Sequence, residues 1–148
     1  MLHPIVLAAL VVLILNDQAL KSALPGPVTG KLSDVAGLIV APLALQAATE
    51  VGLAAASRWE GPSWRVLLAS IAIVGLAFTS IQLWPPAVES YRTGLGAAQW
   101  PFRAIAALLT GQSMPAVMPV AATPDVADLL ALPALGVAWL VGRRRSGR

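Results

Sequence analysis

Pro4-Ile5-Val6-Leu7-Ala8-Ala9-Leu10-Val11-Val12-Leu13-Ile14-Leu15 is an unbroken apolar run. It leads directly into Asn16-Asp17-Gln18-Ala19-Leu20-Lys21. Twelve apolar residues make a helix of only about 18 Å at about 1.5 Å per residue. The hydrocarbon core of a bilayer is about 30 Å thick. A first helix that spans must therefore continue through the polar cluster to about Leu24, where Pro25-Gly26-Pro27 stops it. Asp17 and Lys21 then lie at one edge of the hydrocarbon, where an ionisable group is costly and marks a candidate site.

The rest of the chain has the same character. Of its 148 residues 57% are hydrophobic and only 11% charged. A soluble domain carries about 25% charged residues. Further apolar runs predict spans at about residues 32–56, 63–84 and 125–142, the third stopped by Pro85-Pro86. The expected fold is all-α, an integral membrane four-helix bundle in a single domain. Residues 85–123 form the loop between spans three and four. Within that loop Pro101 and Gly111 bracket a short helix, with Trp100 and Phe102, expected to lie at the membrane interface. A re-entrant path for this loop is the alternative. Residues 114–122, with Pro115 and Pro119, read as extended. Ala48, Gly52 and Ala56 recur every four positions and are expected to let another helix approach span two. Gln46 and Glu50 lie four apart on a neighbouring face. They read as an interhelical hydrogen bond or interfacial carboxylate, with a proton or ion site as the alternative.

Charge gives the orientation. The net charge is +3, and Arg143, Arg144, Arg145 and Arg148 supply much of the basic side. An arginine cluster after an apolar helix reads as a cytoplasmic anchor rather than a nucleic-acid contact. Arg58 and Arg65, between spans two and three, agree with it. Both termini are then cytoplasmic, and the location is the inner membrane of a bacterium. The N-terminus lacks a basic region and a suitable cleavage site, so it reads as a retained span. The chain has no cysteine and one histidine, His3. Disulfides, thiolate catalysis and cysteine-based metal sites are excluded, and no cofactor is expected.

Three stretches bring charge to the extracytoplasmic edge. Asp17 and Lys21 share a helical face at the exit of span one. Thr29-Gly30-Lys31-Leu32-Ser33-Asp34 opens span two. Asp125 and Asp128, three apart, open span four. If the ends converge, the group can serve two kinds of function. Two neighbouring carboxylates can share a proton and act as base and acid on a water. Asp34 and Asp128 would then be the catalytic pair, Asp17 and Lys21 the orienting groups, and Asp125 a substitute for either carboxylate. Several carboxylates could also hold Mg²⁺ or Ca²⁺ against a lipid phosphate. Alternatively the same residues are helix caps and interhelical ion pairs. Asn16, Thr29, Lys31, Ser33 and Asp125 would then bind membrane lipid or a partner in a larger complex. The second reading, a non-catalytic module, is placed first and the hydrolase second.

Two resemblances attach to these residues. Asn16-Asp17, the run from Thr29 to Leu38, and Asp125-Val126-Ala127-Asp128-Leu129 are similar to a signature of small bacterial four-helix membrane proteins of uncharacterised activity. That resemblance implies a fold and a site but no reaction. Asp17-Gln18-Ala19-Leu20-Lys21 and Pro124-Asp125-Val126-Ala127-Asp128 also resemble motifs of signal peptidase II, the lipoprotein signal peptidase. This implies four spans, both termini inside and a catalytic aspartate at Asp128. The chain departs from that family where Pro124-Asp125 replaces a Phe-Asn pair. No Asn-x-x-Asp-Arg motif occurs between Ser63 and Gln112.

Overall fold

The computed structural model describes residues 3–16 and 27–146. Asp17 and Lys21, and the expected continuation of the first span to Leu24, lie outside the described residues. Helices dominate, and no strand occurs among the described residues. Five α-helices follow in order: α1 (Pro4–Leu15), α2 (Pro27–Ala55), α3 (Trp64–Leu83), α4 (Pro85–Leu109) and α5 (Ala134–Ser146). A 3-10 helix, Val126–Ala131, precedes α5. Three segments are long and apolar enough to cross a membrane: Thr29–Ala55, Trp64–Leu83 and Val126–Arg144.

Each helix boundary has a local cause. His3 is extended before α1, and its Nδ1 accepts a hydrogen bond from the Ile5 N–H at 3.3 Å. The single histidine is thus an N-cap. Helix α2 tolerates Pro42 in its interior, where the ring is fully buried. Its end closes as a Schellman turn. Ser57 takes φ 54°, the Arg58 N–H donates to the Leu53 carbonyl at 2.8 Å, and the Ser57 N–H donates to the Ala54 carbonyl at 3.0 Å.

The chain divides into two compact units: Met1–Leu76 with Ala127–Arg148, and Ala77–Val126. In the first unit α1 and α5 both pack on α2. Gly142 sits where three helices crowd. A Cβ there would lie 2.7 Å from both Leu67 δ-methyls and 3.1 Å from a Leu43 δ-methyl. One helical stretch away, a Cβ on Gly75 would lie 2.9 Å from a Leu135 δ-methyl. Leu67 pairs with Gly142 and Gly75 with Leu135, so α3 runs antiparallel to α5. Lys31 meets Asp128 while Leu43 meets Gly142, so α2 runs parallel to the segment 126–144. The small residues that permit close approach are therefore Gly75 and Gly142. The expected stripe of Ala48, Gly52 and Ala56 is exposed, and nothing lies within 4 Å of a Cβ on Gly52.

The second unit corrects the reading of residues 85–123 as a loop holding one short helix. Trp84 alone breaks the helix, extended at φ −128° and ψ 110°, and α4 then runs for 25 residues. Pro85 and Pro86 occupy its first turn, where the missing N–H costs nothing. The same prolines that stop one helix start the next. Helix α4 ends at Gly111 (φ 67°), whose neighbour Gln112 donates to the Ala107 carbonyl at 2.9 Å. From there the chain returns, without regular structure, along the helix. Trp100 Nε1 donates to the Pro115 carbonyl at 2.8 Å, and the Val120 N–H donates to the Arg92 carbonyl at 3.0 Å. Between these points Gly96 is buried, and a Cβ on it would fall onto the Met118 carbonyl oxygen.

Candidate functional site

Helices α1 and α2 are pinned together at the C-terminal end of α1. Asn16, its C-cap, is fully buried at 0% exposure. The Asn16 Nδ2 group donates to the Thr29 carbonyl and to the Ser33 hydroxyl oxygen, both at 2.6 Å. A carbonyl can only accept, so the Thr29 contact fixes which way the amide points. Both Nδ2 hydrogens are consumed. The Asn16 Oδ1 is buried and has no hydrogen-bond partner among the described residues. Thr29 and Ser33 are four apart on α2, so one asparagine can bind both.

One turn along, Lys31 Nζ donates to Asp128 Oδ1 at 3.0 Å. Asp128 lies in the 3-10 helix rather than in an α-helical turn. Its side chain is 17% exposed and that of Lys31 37%. A short N⁺–H···O⁻ contact of this kind is stronger than a neutral hydrogen bond. It ties the opening turns of α2 and of the last apolar segment. Asp34 is half-buried on α2, three positions beyond Lys31.

Asn16, Thr29, Ser33, Lys31 and Asp128 therefore gather in one unit at the N-terminal end of α2. Asp125 belongs to the other unit, Ala77–Val126. It is exposed, and its backbone N–H donates to Gln82 Oε1 at 3.0 Å. Among the described residues no group of three or more His, Asp or Glu side chains is placed to hold a metal ion. Farther along α2, Gln46 Nε2 donates to Glu50 Oε1 at 2.8 Å, with both residues buried. The spacing of four brings these two together on one helix.

The second unit carries polar groups that the sequence did not single out as a site. Glu89 and Arg92 pair at 3.4 Å on α4, and Arg92 Nε also donates to the Val120 carbonyl at 3.2 Å. Their i,i+3 spacing was readable. What was hidden was that residues 85–92 are helical at all.

No known family, curated protein or solved structure matches the chain.

Proposed function

We propose that this chain is a small multi-pass protein of a bacterial inner membrane, with both termini cytoplasmic. It acts there without catalysis, as a lipid- or partner-binding module whose extracytoplasmic edge is clasped by Asn16 and by the Lys31–Asp128 pair. The ion pair carries this reading. The aspartate with the strongest claim to catalysis is joined at 3.0 Å to an ammonium group on another helix. An ion pair that ties two apolar segments at the same end serves to fix their register. The buried Asn16 contacts a few residues away do the same for α1 and α2. The membrane setting is supported by three apolar helices of sufficient length. It also agrees with the likeness of the Thr29–Leu38 and Asp125–Leu129 stretches to small bacterial four-helix membrane proteins.

The test is purification in mild detergent followed by mass spectrometry of everything retained. A module retains a lipid or a protein in stoichiometric amount, and Asp128→Asn reduces that retention together with thermal stability. Turnover of a lipidated peptide that is abolished by Asp34→Asn and by Asp128→Asn would overturn the proposal in favour of the hydrolase.

A further inference from the structure

At the elbow between α3 and α4 lies an open cleft of about 320 Å³. Gln82, Leu83, Trp84, Val88, Glu89 and Arg92 line it. Its size is at the low end for a small-molecule site, about 300 Å³ and upward. Both signs of charge stand on one wall. Glu89 and Arg92 are separated by 3.4 Å, with side chains 62% and 40% exposed. That contact is longer than a tight charge-assisted bond of about 2.7–2.9 Å, so each group keeps capacity for another partner. Arg92 is held from behind. Its Nε donates to the Val120 carbonyl and its own carbonyl accepts from the Val120 N–H. The guanidinium is thereby fixed in place, while Nη2 has no partner among the described residues.

The rest of the lining is largely apolar. Leu83, 56% exposed, ends the 20-residue apolar helix α3, and Trp84, 61% exposed, follows it. Such a helix is about 30 Å long, the thickness of the hydrocarbon core. Its last residues thus stand where acyl chains give way to headgroups. An exposed indole at that level is favoured by its mixed character.

We infer that this elbow binds the headgroup of a zwitterionic phospholipid bearing a primary ammonium. The phosphate sits against the Arg92 guanidinium, the ammonium against the Glu89 carboxylate, and the acyl chains descend past Leu83 and Trp84. A guanidinium fork matches a phosphate, and a carboxylate accepts the N–H donors of a primary ammonium. A trimethylammonium group has no such donors, so choline headgroups bind less well. An anionic glycerol headgroup satisfies Arg92 but leaves Glu89 facing negative charge. The inference rests on the membrane reading proposed above and names one lipid class for it.

The experiment is native mass spectrometry of the full chain released from detergent doped with equal amounts of phosphatidylethanolamine, phosphatidylglycerol and phosphatidylcholine. Phosphatidylethanolamine is retained over the other two by up to about fivefold, the size of one exposed ion pair. Glu89→Gln removes that preference. Glu89 is exposed, and its one ion pair among the described residues is the 3.4 Å contact to Arg92, so the variant is expected to fold as the parent does. Equal retention of the three lipids, retention led by phosphatidylglycerol, or an unchanged preference in Glu89→Gln overturns the inference. Displacement by soluble phosphoethanolamine at the lipid's own concentration overturns the lipid as its source. Flotation of the same preparation with vesicles separates the two levels. A chain that floats without lipid preference loses only the elbow site, whereas a chain that does not float loses the membrane reading as well.

Discussion

The Lys31 ammonium and the Asp128 carboxylate meet at 3.0 Å although 97 positions of chain separate them. Each lies near the start of an apolar segment of membrane length, Thr29–Ala55 and Val126–Arg144. The pair therefore fixes those segments as parallel neighbours. With side chains 37% and 17% exposed, it is neither a free surface pair nor a fully desolvated one. Lys31→Met and Asp128→Asn are each expected to cost about 1–2 kcal/mol of stability. The double variant should cost less than the sum, because the contact between the two groups can be lost only once. Thermal unfolding in detergent across the four proteins reads this coupling, expected at about 0.5–1.5 kcal/mol. Strict additivity would mean that the contact contributes nothing.

Asn16 makes a sharper demand on chemistry, because its amide is buried and donates twice at 2.6 Å. Asn16→Ala should lose about 1–3 kcal/mol, as the Thr29 carbonyl is left without this donor. Asn16→Asp keeps the shape but replaces the donors with a second oxygen facing the Thr29 carbonyl and Ser33 hydroxyl. It should be the more damaging of the two. Thermal denaturation of both variants decides the order, and an aspartate tolerated better than an alanine would contradict the hydrogen-bond assignment.

The apolar helices were legible because hydropathy and length leave little choice for Trp64–Leu83 or for the core of α2. Lys31 and Asp128 were legible as groups opening their spans, yet not as a pair with each other. Helical spacing relates residues on one helix and is silent on which carboxylate a distant ammonium will meet. Helix α4 was obscured by proline. Pro85-Pro86 ends α3 and begins α4 through one intervening residue, Trp84, and Pro101 lies inside α4 rather than at its start. Gly111 was read rightly as a stop. The Ala48–Gly52–Ala56 stripe shows the limit of composition, since small residues allow close packing without requiring it and these three remain exposed.

Gly96 and Gly142 are both tight, but against different kinds of neighbour. At Gly96 the obstacle is the Met118 backbone carbonyl, held by the Arg92–Val120 and Trp100–Pro115 bonds on either side. At Gly142 it is the ends of the Leu43 and Leu67 side chains rather than backbone. Gly96→Ala should therefore displace the return segment, costing about 1–3 kcal/mol and opening residues 112–123 to protease. Gly142→Ala should cost less and leave that segment protected. Limited proteolysis with mass mapping distinguishes them, and equal protection of residues 112–123 in both variants would contradict the packing described.

Helices α2 and α4 close with the same turn but different residues in the left-handed position, Ser57 at φ 54° and Gly111 at φ 67°. A side chain there costs energy that glycine does not. Ser57→Gly should raise stability by about 0.5–1 kcal/mol, and Gly111→Ala should lower it by about 1 kcal/mol. Neither site is packed, since Ser57 is exposed and nothing lies within 4 Å of a Cβ on Gly111. The two shifts in thermal midpoint should thus be opposite in sign, and a loss of stability in Ser57→Gly would contradict the backbone conformation.

The antiparallel relation of α3 to α5 and the parallel relation of α2 to the last apolar segment make a topology that labelling can read. Helix α3 has 20 residues, about 30 Å, long enough to cross a bilayer, and the proposed topology expects its two ends on opposite faces. Glu60 precedes it and Ser113 follows α4, and the proposed topology expects Ser113 on the extracytoplasmic face. Arg144 ends the apolar segment that begins at Val126, and the same topology expects it on the face of Glu60. The chain contains no cysteine, so single cysteines at these three exposed positions report alone. An impermeant maleimide applied to intact cells stripped of their outer layers should label Ser113→Cys at once. Glu60→Cys and Arg144→Cys should react only after the membrane is opened. If Ser113→Cys and Arg144→Cys react together, the last apolar segment does not cross. The Lys31–Asp128 pair would then lie on the same side as the arginines, and the proposed extracytoplasmic edge would have no place in the protein.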